Sequence, residues 1–177
     1  MIRSMYVYCL YCKTQRCKAI AAVLEIKGVR RAFSPQVMRK QRKKGKNIDT
    51  LGDLLPGYIF FYSDEELLDF SLFAGVDGII RRVGRADERY DLQGADREFA
   101  LKMLEKDGLL GAVRLFRMGD TVQLDDPLFK GCEGRVTKID YRKERARIDF
   151  VFNNLPCYTW VTCELVRTDD PPRMMEE

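Results

Sequence analysis

The sequence predicts an α+β protein in two parts. A four-stranded antiparallel sheet with flanking helices comes first, and a small five-stranded β-barrel follows. Three observations carry this expectation. Leu54–Tyr62 reads Leu-Leu-Pro-Gly-Tyr-Ile-Phe-Phe-Tyr, a strand aromatic on both faces and therefore covered on both sides. Amphipathic helical stretches lie before and after it. From about Leu115 the texture changes to short alternating strands and glycine-bearing turns.

The chain has 177 residues, 46% hydrophobic and 33% charged, enough for one ordinary domain or two small ones with packed cores. No apolar run approaches the roughly 20 residues of a membrane span. Met1-Ile2-Arg3-Ser4-Met5 leads straight into a strand without a cleavage pattern. The expectation is a soluble, cytoplasmic monomer with no membrane partner. Net charge is +4, yet residues 1–90 hold 17 Lys/Arg against 10 Asp/Glu, so the N-terminal half is the basic one, a pointer to nucleic acid. Histidine is absent, which removes the usual catalytic base and the commonest metal ligand. Cys9, Cys12 and Cys17 invite a zinc reading, but a structural site wants four ligands. Cys17 also falls on the core side of a helix. The six cysteines therefore read as reduced thiols packing as small hydrophobes, with no cofactor or metal expected.

In order, Met5–Tyr11 reads as a strand. Thr14 can cap a helix running to Lys27, with Gly28 past its end and Cys17, Ile20, Ala21 and Leu24 on one stripe. Lys13, Arg16 and Lys18 crowd the start of that helix, where cations oppose its dipole. They are either solvated charges or an anion site. Val29–Met38 reads as a second strand, and Arg39–Lys46, six basic residues in eight, as an exposed hairpin tip or loop. Asn47–Asp53 is expected to be irregular. Pro56 suits the first residue of the central strand, whose period of two puts Tyr58, Phe60 and Tyr62 on one face and Ile59 and Phe61 on the other. Ser63-x-x-Glu66 reads as a capping box opening a short helix through Leu67, Leu68 and Phe70, ended near Gly75. Val76–Val83 is the fourth strand. Ala95–Lys106 is a helix with Phe99, Ala100, Met103 and Leu104 as its apolar side.

Residues 108–115 are expected as a linker and 116–168 as the barrel, leaving 1–107 as the first domain and 169–177 as a disordered acidic tail. In the barrel, Gly131 and Gly134 are assigned the positive backbone angles of a turn. Ala146, Ile148, Phe150 and Phe152 point inward, so Arg145 and Arg147 share the outer face beside Arg142 and Lys143. That face is either an edge kept soluble by charge or a surface for an RNA backbone.

Four stretches resemble the NusG/RfaH family of transcription elongation factors. Leu-Pro-Gly-Tyr-Ile-Phe-Phe, residues 55–61, is similar to the family's F-P-G-Y-V-hydrophobic signature, and Phe73-Ala74-Gly75-Val76-Asp77-Gly78-Ile79 to its T-P-G-V-x-G-F. Leu10-Tyr11-Cys12-Lys13 resembles the family's first strand and helix start. Gly119-Asp120 through Arg135-Val136, with Pro127-Leu128-Phe129-Lys130-Gly131-Cys132-Glu133-Gly134 between, resembles the KOW motif. The resemblance spans residues 5–168 and implies an NGN-like domain followed by an SH3-like KOW barrel.

It further implies a binding factor and not an enzyme. The implied partner is RNA polymerase, through its clamp coiled coil, with suppression of pausing or termination as the outcome. Leu55, Tyr58 and Phe60, with Tyr11 as a neighbour, occupy the clamp-binding positions. Lys13, with Arg16 and Lys18, occupies a place that meets non-template DNA in the family. LoaP-like antitermination paralogues bind RNA through the KOW domain, which makes Lys130, Arg135, Lys138, Arg142, Lys143, Arg145 and Arg147 the candidate nascent-RNA set. Housekeeping members instead use an aromatic-bearing loop to couple to the small ribosomal subunit or to Rho. The matching residue here is Asn153, which favours a specialised paralogue. The remaining alternative, a thiol or metal enzyme, lacks a nucleophile–base pair.

Overall fold

In the computed structural model, which describes residues 4–67, 71–84 and 90–166, three sheets and two helices pack around two apolar clusters, one on each face of the first sheet. The elements that place the site are β1 (Tyr6–Cys12), α1 (Cys17–Ile26), β2 (Arg31–Phe33), β3 (Gln36–Lys43), β4 (Lys46–Asp53), β5 (Tyr58–Ser63) and β6 (Ile79–Val83). After them come α2 (Gly94–Glu105), β7 (Leu109–Leu110), β8 (Val113–Met118), β9 (Thr121–Asp125), β10 (Arg135–Asp140), β11 (Arg145–Phe152) and β12 (Leu155–Val166).

The first sheet runs β2-β5-β1-β6, antiparallel throughout, as the sequence predicts. Its two faces are both dry. Tyr8, Leu10, Ile59 and Phe61 face α1, whose stripe of Cys17, Ile20, Ala21 and Leu24 is buried against them. Tyr8 and Phe61 stack at 5.0 Å between centroids. Val7, Cys9, Phe60 and Tyr62 face the other way, against Phe99, Ala100 and Met103 of α2. The Tyr62 hydroxyl, fully buried, donates to the Ala100 carbonyl at 2.6 Å, so the phenol enters the core without an unpaired polar atom.

Glycine decides how β5 begins. Gly57 has φ of +86°, and a Cβ there would sit 2.9 Å from both the Cys12 carbonyl and the Tyr11 ring. The strand therefore starts at Tyr58, with Pro56 in the preceding turn.

Several expectations are corrected. Of the two alternatives for Arg39–Lys46, the hairpin tip stands and the loop does not, while Asn47–Asp53, expected as irregular, is regular strand. Strands β3 and β4 are paired from Gln36–Asp53 to Lys43–Lys46. Lys44 and Gly45 both take positive φ, 47° and 78°, the two-residue turn whose twist suits a hairpin. The single strand expected over Val29–Met38 is broken into β2 and β3 on either side of Ser34-Pro35. Thr14 makes no cap, because a short 3-10 turn over Thr14–Arg16 precedes α1. The Ser63 hydroxyl bonds the Glu65 backbone, and no helix begins there; Leu68 and Phe70 lie outside the described residues. Residues expected as a linker are paired too: Leu109–Leu110 runs parallel to β3, and Val113–Leu115 lies beside β12. The acidic tail expected at 169–177 falls outside the described residues.

The C-terminal sheet is curled, five strands in the order β10-β11-β12-β8-β9, with β12 and β8 parallel and its edge strands in contact. Its KOW-like turn works differently from expectation. The positive φ, 58°, belongs to Glu133. Gly134 is needed for a close approach, since a Cβ there would lie 2.3 Å from Phe129 Cβ.

Candidate macromolecule-binding surfaces

The sequence places Tyr11, Leu55, Tyr58 and Phe60 together, and the structure does so as well. Tyr11 and Tyr58 are register partners across β1 and β5, with ring centroids 5.1 Å apart. Leu55 and Phe60, however, are 2% and 0% exposed, while Tyr11 and Tyr58 are half-buried. The cover is not helix alone. Phe152, at the end of β11, sets its ring 5.5 Å from Tyr58 and 5.6 Å from Phe60, with Phe99 of α2 5.8 Å away. Phe150 stacks on Phe99 at 5.7 Å. The inward-pointing residues of the barrel strand therefore close over the first sheet as well as fill their own sheet.

Polar contacts reinforce the seam. The β11–β12 connection is only Asn153-Asn154, both at positive φ (52° and 59°), a geometry that asparagine tolerates better than an aromatic residue. The Asn153 N–H donates to Asp96 Oδ1 at 3.1 Å, in the first turn of α2. Burial raises the Asp96 carboxyl above its ordinary range, with that N–H pulling the other way. A cleft of about 820 Å³, lined in part by Asp96, Cys132 and Asn153, opens beside this contact.

A second seam joins the basic hairpin to the barrel. Arg39, read from sequence as solvent-facing, lies over Gly52, where any Cβ would come within 2.6 Å of its guanidinium. It donates to the Trp160 carbonyl at 3.0 Å and to the Asp53 carbonyl at 3.2 Å. Lys40 pairs with Glu144 at 2.8 Å, and Asn47 Nδ2 reaches both Glu144 and the Arg142 carbonyl. The Lys40 and Asn47 side chains hold the Glu144 carboxyl below its usual range.

The candidate RNA residues divide. Arg142, Lys143, Arg145 and Arg147 cluster with Lys138, which is the register partner of Arg147. Lys130 sits at the other end of the barrel, near α2, and Arg135 at the far end of β10. Arg145 and Arg147 are not free charges. Arg145 lies 3.5 Å from Asp140 and over the Trp160 ring at 4.6 Å; Arg147 lies 2.8 Å from Asp149 and over Tyr158 at 4.0 Å. Tyr158 and Trp160 were not among the sequence candidates. Their signal was present, because they alternate with the inward Thr159 and Val161.

At the α1 end, Lys13, Arg16 and Lys18 are all exposed. The Lys13 N–H bonds the Gly78 carbonyl at 2.8 Å, and Arg16 packs over Gly78, whose Cβ would come within 2.9 Å of it. Among the described residues no group of cysteines and carboxylates is arranged to hold a metal. Burial pushes the Cys12 thiol up to about 12 and raises Cys9 well above its ordinary value, away from a reactive thiolate. No helix of the described residues is long and apolar enough to cross a membrane.

Comparison with known proteins gives two findings. Residues 5–99 match the family described as NusG, transcription termination factor nusG. Among solved structures, NusG of Thermotoga maritima, studied for its domain interaction, is similar with a TM-score of 0.53 at 13% identity, covering 89% of this chain and 93% of that one. No curated protein matches the chain.

Proposed function

The chain belongs to the NusG family, and from that membership we propose that it is an elongation factor riding on RNA polymerase as a specialised, LoaP-like antitermination paralogue. Residues 1–107 dock on the clamp coiled coil through Tyr11, Leu55, Tyr58 and Phe60. Residues 116–168 contact nascent RNA. The basic start of α1, with Lys13, Arg16 and Lys18, meets non-template DNA.

The observation that carries this reading is the aromatic face shared by β1 and β5 and its cover. Tyr11, Tyr58 and Phe60 form one contiguous surface, and a few aromatics can dominate an interface. Phe152 lies on that surface, so the conformation seen here is closed, and docking requires the barrel to move away. The apparent affinity for polymerase is then lowered by the fraction of time spent closed. Coupling to the ribosome or Rho is disfavoured because the β11–β12 turn is an asparagine pair tied to Asp96.

Binding of purified polymerase by the full chain tests the reading. Tyr58→Ala should abolish or strongly weaken capture while the chain stays folded. Retention of wild-type affinity in a folded Tyr58→Ala variant would place the docking surface elsewhere.

A further inference from the structure

The outer face of β11 and β12 carries more aromatic and guanidinium surface than a solvated sheet needs. Period two puts Ala146, Ile148, Thr159 and Val161 inside and Arg145, Arg147, Tyr158 and Trp160 outside. Each arginine reaches diagonally across the ladder and stacks on an aromatic ring, Arg145 on Trp160 at 4.6 Å and Arg147 on Tyr158 at 4.0 Å. Asp140 and Asp149 pair with the two guanidiniums, and Thr137 in turn holds Asp149. Much of their charge is therefore spent inside the protein. What remains is a fixed row of flat surfaces, with Tyr158 58% exposed at one end and Tyr141, 64% exposed, in the turn at the other. Successive pairs along a strand lie roughly 6.8 Å apart.

Unspent positive charge flanks that row. Lys138 is exposed beside Arg147, and Arg142 is exposed next to Tyr141. The β3–β4 hairpin is latched to the same turn through Lys40–Glu144 and Asn47–Arg142, which brings the exposed Arg42, Lys43, Lys44 and Lys46 alongside. Two like-charged segments are thus held next to each other, with Glu144 already taken by Lys40 and Asn47. An outside polyanion would relieve that arrangement.

We propose that this face is a stacking surface for single-stranded RNA. Bases lie on Tyr158 and on the stacked Arg147–Tyr158 and Arg145–Trp160 pairs, and the phosphates follow Lys138, Arg142 and the hairpin lysines. Flat side chains accept any unpaired base, whereas a duplex keeps its bases stacked on each other and offers only its phosphates and groove edges. The inference deepens the RNA contact of the proposed function and rests on it. It assigns Tyr158 and Trp160, and a strand-state preference, which that reading does not contain.

The chain contains a single tryptophan, Trp160, so the site has its own reporter. Titrating the full chain with an unstructured RNA oligomer, across salt, should quench tryptophan emission. Tyr158→Ala should weaken binding roughly 5- to 150-fold with an unchanged salt slope, because stacking is lost and no counterion contact is. Tyr158→Phe should restore affinity, since the ring and not the hydroxyl carries the contact. Arg142→Ser with Lys138→Ser should flatten the slope. Polymerase capture should survive in every variant. The proposal is overturned if duplex RNA binds as well as the single strand, if a DNA oligomer of the same sequence binds better, or if folded Tyr158→Ala binds RNA like wild type. Absence of any RNA binding, with polymerase capture intact, removes the RNA contact and leaves the docking reading standing.

Discussion

Phe152→Ala separates a covered docking face from an ordinary core. The ring is 1% exposed and touches Tyr58, Phe60 and Phe99 at 5.5, 5.6 and 5.8 Å. Truncating a buried phenylalanine costs about 3–5 kcal/mol, and aromatic pairs contribute about 0.5–1.5 kcal/mol each beyond area burial. All three of these ring partners belong to the first sheet or α2. Most of the loss therefore falls on the closing of the barrel over the sheet, while Ala146 and Ile148 continue to fill the barrel itself. A weakening of about 3 kcal/mol shifts a closed–open equilibrium roughly a hundredfold. Affinity for polymerase should rise by up to that factor while melting temperature falls. Tyr58→Ala, on the other side of the same ring contact, should loosen closure but lose polymerase. Calorimetric melting with surface-immobilised polymerase binding reads both quantities. If Phe152→Ala melts earlier and binds polymerase no better than wild type, the face is not gated by the barrel.

The hairpin latch should respond to acid. Glu144 is depressed by Lys40 and Asn47, so its contribution is complete above the ordinary carboxylate range and disappears as pH falls through the lowered value. Amide exchange in β3 and β4 should then speed up, and Glu144→Gln should show the faster exchange already at neutral pH. Gly57→Ala should destabilise the chain by more than about 1 kcal/mol in urea unfolding, since it meets both a positive φ and two contacts at 2.9 Å. Gly45→Ala, at similar φ with open space around it, should cost less.

What the sequence by itself determined is whatever depends on local period and on residue type. The two faces of β5, the α1 stripe, the apolar side of α2 and the inward row of β11 were all legible, because burial repeats every two or 3.6 residues. The chain's family was legible too, from turn residues such as Gly57 and Gly134 whose backbone or packing admits no side chain. Period alone says that a face is covered and not by what. A hairpin tip was one of two alternatives here, but its regular strands escaped because six charges mask the alternation, and only the pairing of β3 with β4 and the Trp160 carbonyl organises them. Phe152 over Tyr58, Glu144 between Lys40 and Asn47, and arginines laid on Trp160 and Tyr158 join residues 11 to 104 positions apart. Such contacts are chosen by which strands pair, in what register, and how the sheets then fit together, and no window of neighbouring residues contains that information.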